Sequence, residues 1–315
     1  REKEKIMLSN RGIIKEAAIS TKNMSSGILN AEQSKLFIKQ TFDATKLGPL
    51  VRHVMRRSSI GEIDKIGVAN RLLREKKEDT DDGYRADAIT SQIDYRTTAV
   101  RVPWEITEEA IRENIEGNTL EDTIFGLMIS QIGIDLEDLY LNGDEQTEDT
   151  NKDYDFLKIN DGWVKQIKNG GHIYDASSED KMSIDMFYNT LDQLPNKYNN
   201  GKLRWLMSPR RAQEWSLMLI NKAMGAGATI PEGIYNSPAN IPIIECTSLS
   251  DDIIILTDPK NLVVVNTYDI KVRKTTEGKE AIMKDKRFYV IHLDFDTVIE
   301  ELDATAIIIG LNKTK

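Results

Sequence analysis

The stretch NTLEDTIFGLMISQIGIDLEDLYLNGD, residues 118–144, decides the fold. Leu120, Ile124, Leu127, Met128, Ile132, Leu136 and Leu139 recur at i, i+3 and i+4, the period of a helix. Asn118 followed by Glu121 has the form of a capping box. Asn142-Gly143 predicts a left-handed end. Together these predict a helix of about 23 residues, roughly 35 Å at ~1.5 Å per residue, long enough to span a small domain.

Upstream lies LREKKEDTDDGYRAD, residues 73–87, dense in charge and flanked by strand-like runs. In RRSSIGEIDKIGVANRLL, Ile60, Ile63, Ile66 and Val68 sit among Gly61 and Gly67. In AITSQIDYRTTAVRVPWEIT, Ile89, Ile93, Tyr95 and Ala99 share a parity. Joined through KKEDTDDGYR, where Gly83 permits the turn, the two runs predict a long two-stranded hairpin. Such a ribbon is not stable alone in water. Neither of its faces is continuously apolar, so the expectation is that it packs on a partner chain; a solvated surface hairpin is the plainer reading.

Residues 31–47 predict a helix through Leu36, Phe37, Phe42 and Leu47, capped by Asn30 and stopped by Gly48-Pro49. Thr107 caps a short helix ahead of the long one. Ser183 and Ser208 cap two more, the second with Pro209 at its first position. LRWLM, DIIILTD, NLVVVNTYDIKVRKT, RFYVIHLDFDTVIEEL and ATAIIIGL have β character. Helices and strands do not alternate regularly, so the class is α+β rather than a doubly wound parallel sheet.

The 315 residues carry a net charge of −9, which argues against a nucleic-acid reader with a basic face. No apolar run reaches the ~18 residues of a membrane span. The single cysteine, Cys246, leaves no disulfide framework within the chain. The first residue is Arg1, consistent with processing or trimming, and the first 22 residues have an excess of Lys and Arg.

Chemistry-bearing motifs are sparse. There is no phosphate loop or dinucleotide fingerprint, and GAGAT at 225–229 reads as a flexible loop. His53, His172 and His292 lie far apart and show no zinc spacing. DTDDG at 79–83 lacks calcium-loop spacing and reads as a solvated turn. Asp294 and Asp296 share a strand face and could serve as acid and base, although a solvated or salt-bridged face is the simpler account. Trp163, Trp205 and Trp215 read as core or interface anchors. No cofactor and no metal are expected.

Several stretches resemble the major capsid proteins of tailed bacteriophages, which have the Hong Kong 97-type fold. IGIDLEDLYLNGD (132–144) looks like the end of that family's spine helix. LRWLMSPRRAQEW (203–215) resembles its axial-domain strand, turn and helix, and IIECTSLSDDIIILTDPKNLVVV (243–265) the strand pair that follows. DFDTVIEELDATAIIIGL (294–311) resembles the closing strands of the peripheral domain. The resemblance implies an N-terminal arm at 1–30 and peripheral-domain residues at 31–50. An extended hairpin loop would follow at 51–103, then the peripheral domain with spine helix at 104–160, the axial domain at 161–266 and closing peripheral strands at 267–315. It implies inter-subunit contacts by the hairpin tip (Arg74, Glu75, Lys76, Lys77, Glu78, Asp79, Asp81, Asp82, Arg85) and by the arm (Arg1, Lys3, Lys5, Arg11, Lys15). The implied partners are the chain itself, as hexamers and pentamers, with a scaffolding protein, a portal and possible decoration proteins. Double-stranded DNA would be enclosed without sequence-specific binding, and no membrane is involved. The implied place is the virion, assembled in the bacterial host cytoplasm. The alternatives are an encapsulin-like compartment shell, a tail or other assembly protein, and an α+β enzyme built on the 225–240 loop with Asp294 and Asp296.

Overall fold

A computed structural model describes residues 27–28, 37, 39, 41, 43–67, 73, 89–113, 120–179, 181–225, 237–268 and 270–311. Thr107 caps α1 (Glu108–Glu113), its hydroxyl accepting from the Ala110 amide at 3.2 Å. The apolar period of 120–142 becomes one helix, α2 (Leu120–Asn142), burying Phe125, Ile129, Ile132, Leu136, Leu139 and Tyr140. Asn118 of the expected capping box lies outside the described residues, and Glu121 is committed instead to Lys274 and Arg287. The helix ends at Gly143, but not in a left-handed turn: among the described glycines, positive φ occurs at Gly201 and Gly310. Glycine is needed at 143 for room, because a Cβ there would lie 2.2 Å from the Asn160 carbonyl oxygen. Gly133 likewise lets α2 approach the helical turn at Thr41, whose carbonyl oxygen would be 2.1 Å from an added Cβ. That upstream helix is described at Phe37, Lys39 and Thr41, with turns from Asp43 leading to a 3-10 turn at Gly48–Leu50.

Thirteen strands are present among the described residues: β1 (Gly27–Ile28), β2 (Arg52–Arg56), β3 (Ile60–Gly67), β4 (Ile89–Arg96), β5 (Thr98–Thr107), β6 (His172–Asp175), β7 (Arg204–Met207), β8 (Ile243–Glu245), β9 (Ile254–Thr257), β10 (Leu262–Thr267), β11 (Lys271–Thr275), β12 (Lys286–Ile299) and β13 (Ala306–Ile309). The remaining helices are α3 (Tyr154–Leu157), α4 (Trp163–Gly170), α5 (Ile184–Gln193), α6 (Pro209–Gly225) and α7 (Lys279–Lys284). The spacing argument did not predict α7.

The 14-residue β12 is the hub of a six-stranded sheet. One edge pairs antiparallel with β5, from Lys286↔Thr107 to Phe295↔Thr98. The other edge pairs first with β11, from Phe288↔Thr275 to His292↔Lys271, and then with β10, from Phe295↔Asn266 to Ile299↔Leu262. β2 joins β10 in parallel and β1 joins β11. Period-two alternation then separates two faces. Val272, Ile291, Leu293 and Phe295, with Val100, Val102 and Trp104, meet α2 in one core. The opposite face carries Phe288, Val290, His292, Asp294, Asp296 and Val298.

A five-stranded sheet has the order β6-β13-β9-β7-β8. Both of its faces are covered, which is why its strands read as continuous apolar runs. Trp205, Met207, Ile254, Leu256 and Ile308 pack with Met186 and Phe187 of α5 and Trp215 of α6. Leu206, Ile255 and Ile307 point the other way, into the core shared with α2, Trp163 and Ile167. The two sheets are therefore joined through one apolar core beside the long helix.

These pairings move three expected boundaries. Arg52–Arg56 and Thr98–Thr107 belong to the six-stranded sheet, so among the described residues the ribbon within 51–103 consists of strands 60–67 and 89–96. Leu262–Thr267, expected in the axial segment 161–266, pairs with β12 and β2. Ala306–Ile309, expected among the closing peripheral strands of 267–315, lies between β6 and β9. An apolar run announces a strand but not which sheet receives it.

Glu137 is buried on α2 and faces Thr45, Leu47 and Gly48. Burial raises its pKa above the ordinary carboxylate range, and the Thr45 hydroxyl and the backbone of Gly48 and Leu47 offset only part of this. A carboxyl raised on folding contributes stability below its ordinary pKa, and loses it as pH rises through the elevated value. Relative to the parent, Glu137→Gln should therefore gain stability as pH rises. Melting curves from about pH 4 to 8 should show the gap opening to about 2–4 °C, the effect of ~1 kcal/mol in a chain of this size.

Candidate assembly surfaces

The ribbon of β3 and β4 pairs Ile63 with Ile93 and Gly61 with Tyr95. Ile63 and Tyr95 are buried on Val263, Val265 and Val298, with Val54 and Ile93 at the margin. The Tyr95 ring lies over Gly61, where a Cβ would fall 2.7 Å from its hydroxyl oxygen. Asp296 fixes the base: its two oxygens accept from the Arg96 and Thr297 amides, each at 2.7 Å. Burial raises the Asp296 pKa and these two amides counter it. Lys65 is paired with Glu301 and also donates to the Glu300 carbonyl at 3.4 Å. The expectation that the whole ribbon lies on a partner is thus corrected at its base, which rests on its own sheet. A few residues make that contact, too few to appear as a continuous apolar face.

Beside the base, where β5 no longer pairs with β12, opens a cleft of about 910 Å³. Glu62, Asp94, Glu145, Asp161 and Asp296 line it together with Arg96, Tyr95 and Ile60. Among the described residues no group of His, Cys, Asp or Glu is arranged to hold a metal ion. Asp294 and Asp296 share the outward sheet face, but Asp296 is occupied by two backbone amides.

A charged network ties α1 and α2 to the sheet. Arg287 bonds both Glu108 and Glu121, and Lys274 also pairs with Glu121. The Arg287 hydrogen bond is the main reason that Glu108 stays below the usual carboxylate range. For Glu121, burial pushes upward, and Lys274, Tyr289 and Arg287 outweigh it. Trp104 stacks on Tyr289 at 5.2 Å beneath this network.

Large apolar side chains are exposed at several places: Leu127 and Ile134 on α2, Leu217 and Ile220 on α6, and Ile282 and Met283 on α7. Leu217 and Ile220 line a groove of about 710 Å³ beside the edge strand β8. Trp163, Trp205 and Trp215 are core residues, the first of the two roles expected of them. Cys246 is buried, and burial pushes its thiol pKa up.

No family model matches the chain. A protein of Bacillus subtilis (strain 168) named as a prophage capsid protein, YqbE, is 27% identical over 324 residues, covering 97% of this chain and 100% of that protein. The procapsid of satellite phage P4 with its size determination protein gives a TM-score of 0.65 at 12% identity, over 99% of this chain and 98% of that chain. The chain has the fold of phage capsid proteins, the Hong Kong 97-type fold. An encapsulin of Synechococcus elongatus PCC 7942 matches less completely, with a TM-score of 0.54 at 13% identity, over 85% of this chain and 88% of that chain.

The resemblance stated above would make α2 the spine helix, the six-stranded sheet the peripheral one, the five-stranded sheet the axial one, and β3–β4 the start of the extended loop. The tip residues Arg74, Glu75, Lys76, Lys77, Glu78, Asp79, Asp81, Asp82 and Arg85 lie outside the described residues, as do Arg1, Lys3, Lys5, Arg11 and Lys15 of the arm. Leu73, at the start of the tip, is described and is 96% exposed. Sequence reasoning missed Asp296 as the ribbon's anchor. Its position two residues after Asp294, beside Phe295, was the available signal.

Proposed function

We propose that this chain is the major capsid protein of a tailed bacteriophage or prophage, forming the hexamers and pentamers of an icosahedral shell around double-stranded DNA. The observation that carries this reading is likeness along the whole chain to a protein named as a prophage capsid protein. A solved phage procapsid matches over nearly the same length. The role is structural rather than enzymatic, and the place is the virion. In this reading the tip from Arg74 to Arg85 and the arm from Arg1 to Lys15 reach neighbouring subunits. Each contact can be weak, because one subunit engages several neighbours and linked contacts multiply. A scaffolding protein, a portal and decoration proteins would join the shell, with assembly in the host cytoplasm. The net charge of −9 keeps packaged DNA from adhering to the wall.

The encapsulin reading is supported by the Synechococcus match, which leaves more of both chains uncovered. Negative-stain microscopy of the protein alone and coexpressed with its neighbouring genes is the test. Closed shells or capsomer rings support the capsid reading. Shells that carry cargo protein and never DNA favour the encapsulin, and a monomer under every condition ends both.

A further inference from the structure

One side of α2 enters the core through Phe125, Ile129, Ile132 and Leu136. Among the described residues nothing covers the other side. Thr123, Leu127, Ser130 and Ile134 fall at i, i+4, i+7 and i+11, so they form one stripe along the helix. All four are exposed, Leu127 at 64% and Ile134 at 41%. Beside the stripe, a Cβ added at Gly126 would meet no atom within 4 Å. The stripe has the spacing of a helix–helix seam. Leu127 and Ile134 stand as knobs, and Ser130 between them leaves a hole for a knob from a partner.

The seam runs into negative charge. α2 holds Glu121, Asp122, Asp135, Glu137 and Asp138, and it has no Lys, Arg or His. Asp135 and Asp138 lie toward its C-terminal end, where the helix dipole is itself negative and favours a cation. Asp135 accepts from Gln131 at 2.7 Å and Asp138 from Asn142 at 2.6 Å, both neutral amides. Burial, with Asp135 and Asp153 as like charges nearby, holds Asp138 above the ordinary carboxylate range. Among the described residues no base pairs with Asp135 or Asp138.

We propose that this face of α2 seats an amphipathic helix of the scaffolding protein, its apolar stripe on Leu127 and Ile134 and its Lys or Arg toward Asp135 and Asp138. This inference rests on the capsid reading, which supplies the partner, and adds the docking surface and its chemistry. The seam selects a helix, and the missing cation selects a basic one. About 16 residues of helix, roughly 24 Å at ~1.5 Å per residue, would follow the face from Thr123 to Asp138. The chain's own basic stretch fits less well. Within residues 1–22, Gly12 interrupts the apolar run of Ile6, Met7, Ile13 and Ile14, and glycine weakens a helix. Glu2, Glu4 and Glu16 also accompany its bases.

Two variants test this. Leu127→Glu with Ile134→Glu removes the knobs, and Asp135→Lys with Asp138→Asn removes the negative end. Leu127, Ile134 and Asp135 are exposed, so melting temperatures should stay near the parent's. The probe is an amphipathic helical peptide of Leu and Lys, and its Leu and Glu counterpart is the control. By fluorescence anisotropy the Lys peptide should bind the parent subunit, and each variant should weaken it by about tenfold or more. The Glu peptide should not bind. Coexpressed with the neighbouring genes, each variant should lower the yield of closed shells by a similar factor. A Ser130→Cys subunit labelled with benzophenone maleimide is then mixed with the purified products of those genes; the buried Cys246 gives little background. A photo-cross-link to one of those products is expected. Equal peptide binding by parent and variants overturns the proposal. A cross-link from position 130 into this chain, its arm included, assigns the face to the chain itself and overturns it too. If the parent forms no shells under any condition, the capsid reading itself has failed. Normal parent shells beside indifferent variants sink this inference alone.

Discussion

A subunit in which residues 68–88 are replaced by an Asn-Gly turn folds normally and fails to close shells. Gly67 and Ile89 are opposite each other in the ribbon, so a two-residue turn can join the strands there. The shortened ribbon keeps every contact described at its base: Ile63 and Tyr95 on Val263, Val265 and Val298, the Arg96 amide on Asp296, and Lys65 on Glu301. Its melting temperature should stay within about 2 °C of the parent's, since surface changes away from such features cost little. Assembly should suffer far more. Removing one of several linked contacts divides effective affinity by a large factor, about 10²-fold or greater. Shell counts by negative-stain microscopy beside calorimetry of the subunit check this. Normal shells from the shortened chain would show that the tip does not join subunits.

Phe295→Ala should be the costliest of these changes to the subunit itself. Phe295 is fully buried at the point where β12 passes from β11 to β10, and it pairs with Asn266 on one edge and Thr98 on the other. Its ring meets Tyr140 of α2 edge-on, with centroids 5.2 Å apart. Truncation would leave a cavity in the core shared by the helix and both sheets, at a cost of about 3–5 kcal/mol. Urea titration of the unassembled subunit reads this directly. A loss below about 1 kcal/mol would mean that the core collapses around the gap, and the shared core would then be looser than its packing indicates.

The long helix was legible because apolar residues recur at helical spacing over about six turns, but its buried face was misjudged: Leu127 is exposed, and Phe125 and Ile129 are buried instead. Its ends were less legible. Gly143 looked like a left-handed stop, whereas its requirement is room for the Asn160 carbonyl, a contact made by chain 17 residues away. The ribbon was legible as two β runs around a charged turn, but its limits were not. Arg52–Arg56 reads as polar, and it becomes a strand by pairing with β10 about 200 residues later. The ribbon's anchor was hidden for the same reason: Asp296 meets Arg96 only in the folded sheet. The short α7 has six residues and a single buried side chain, Ala281, which leaves no period to read. Arg287 stood in a strand run, and its partners Glu108 and Glu121 belong to helices far upstream.

The place of β13 has a consequence for the order of events during synthesis. Residues 306–309 stand between β6 and β9, strands made earlier, and among the described residues β6 has no other strand partner. A nascent chain can form α2 and hold β7, β8 and β9 together while β6 still stands apart from them. Until Ala306–Ile309 arrive, β6 and β9 keep open edges, which are templates for wrong pairing. Completion of the five-stranded sheet therefore waits on residues 306–309, translated after every other strand of that sheet.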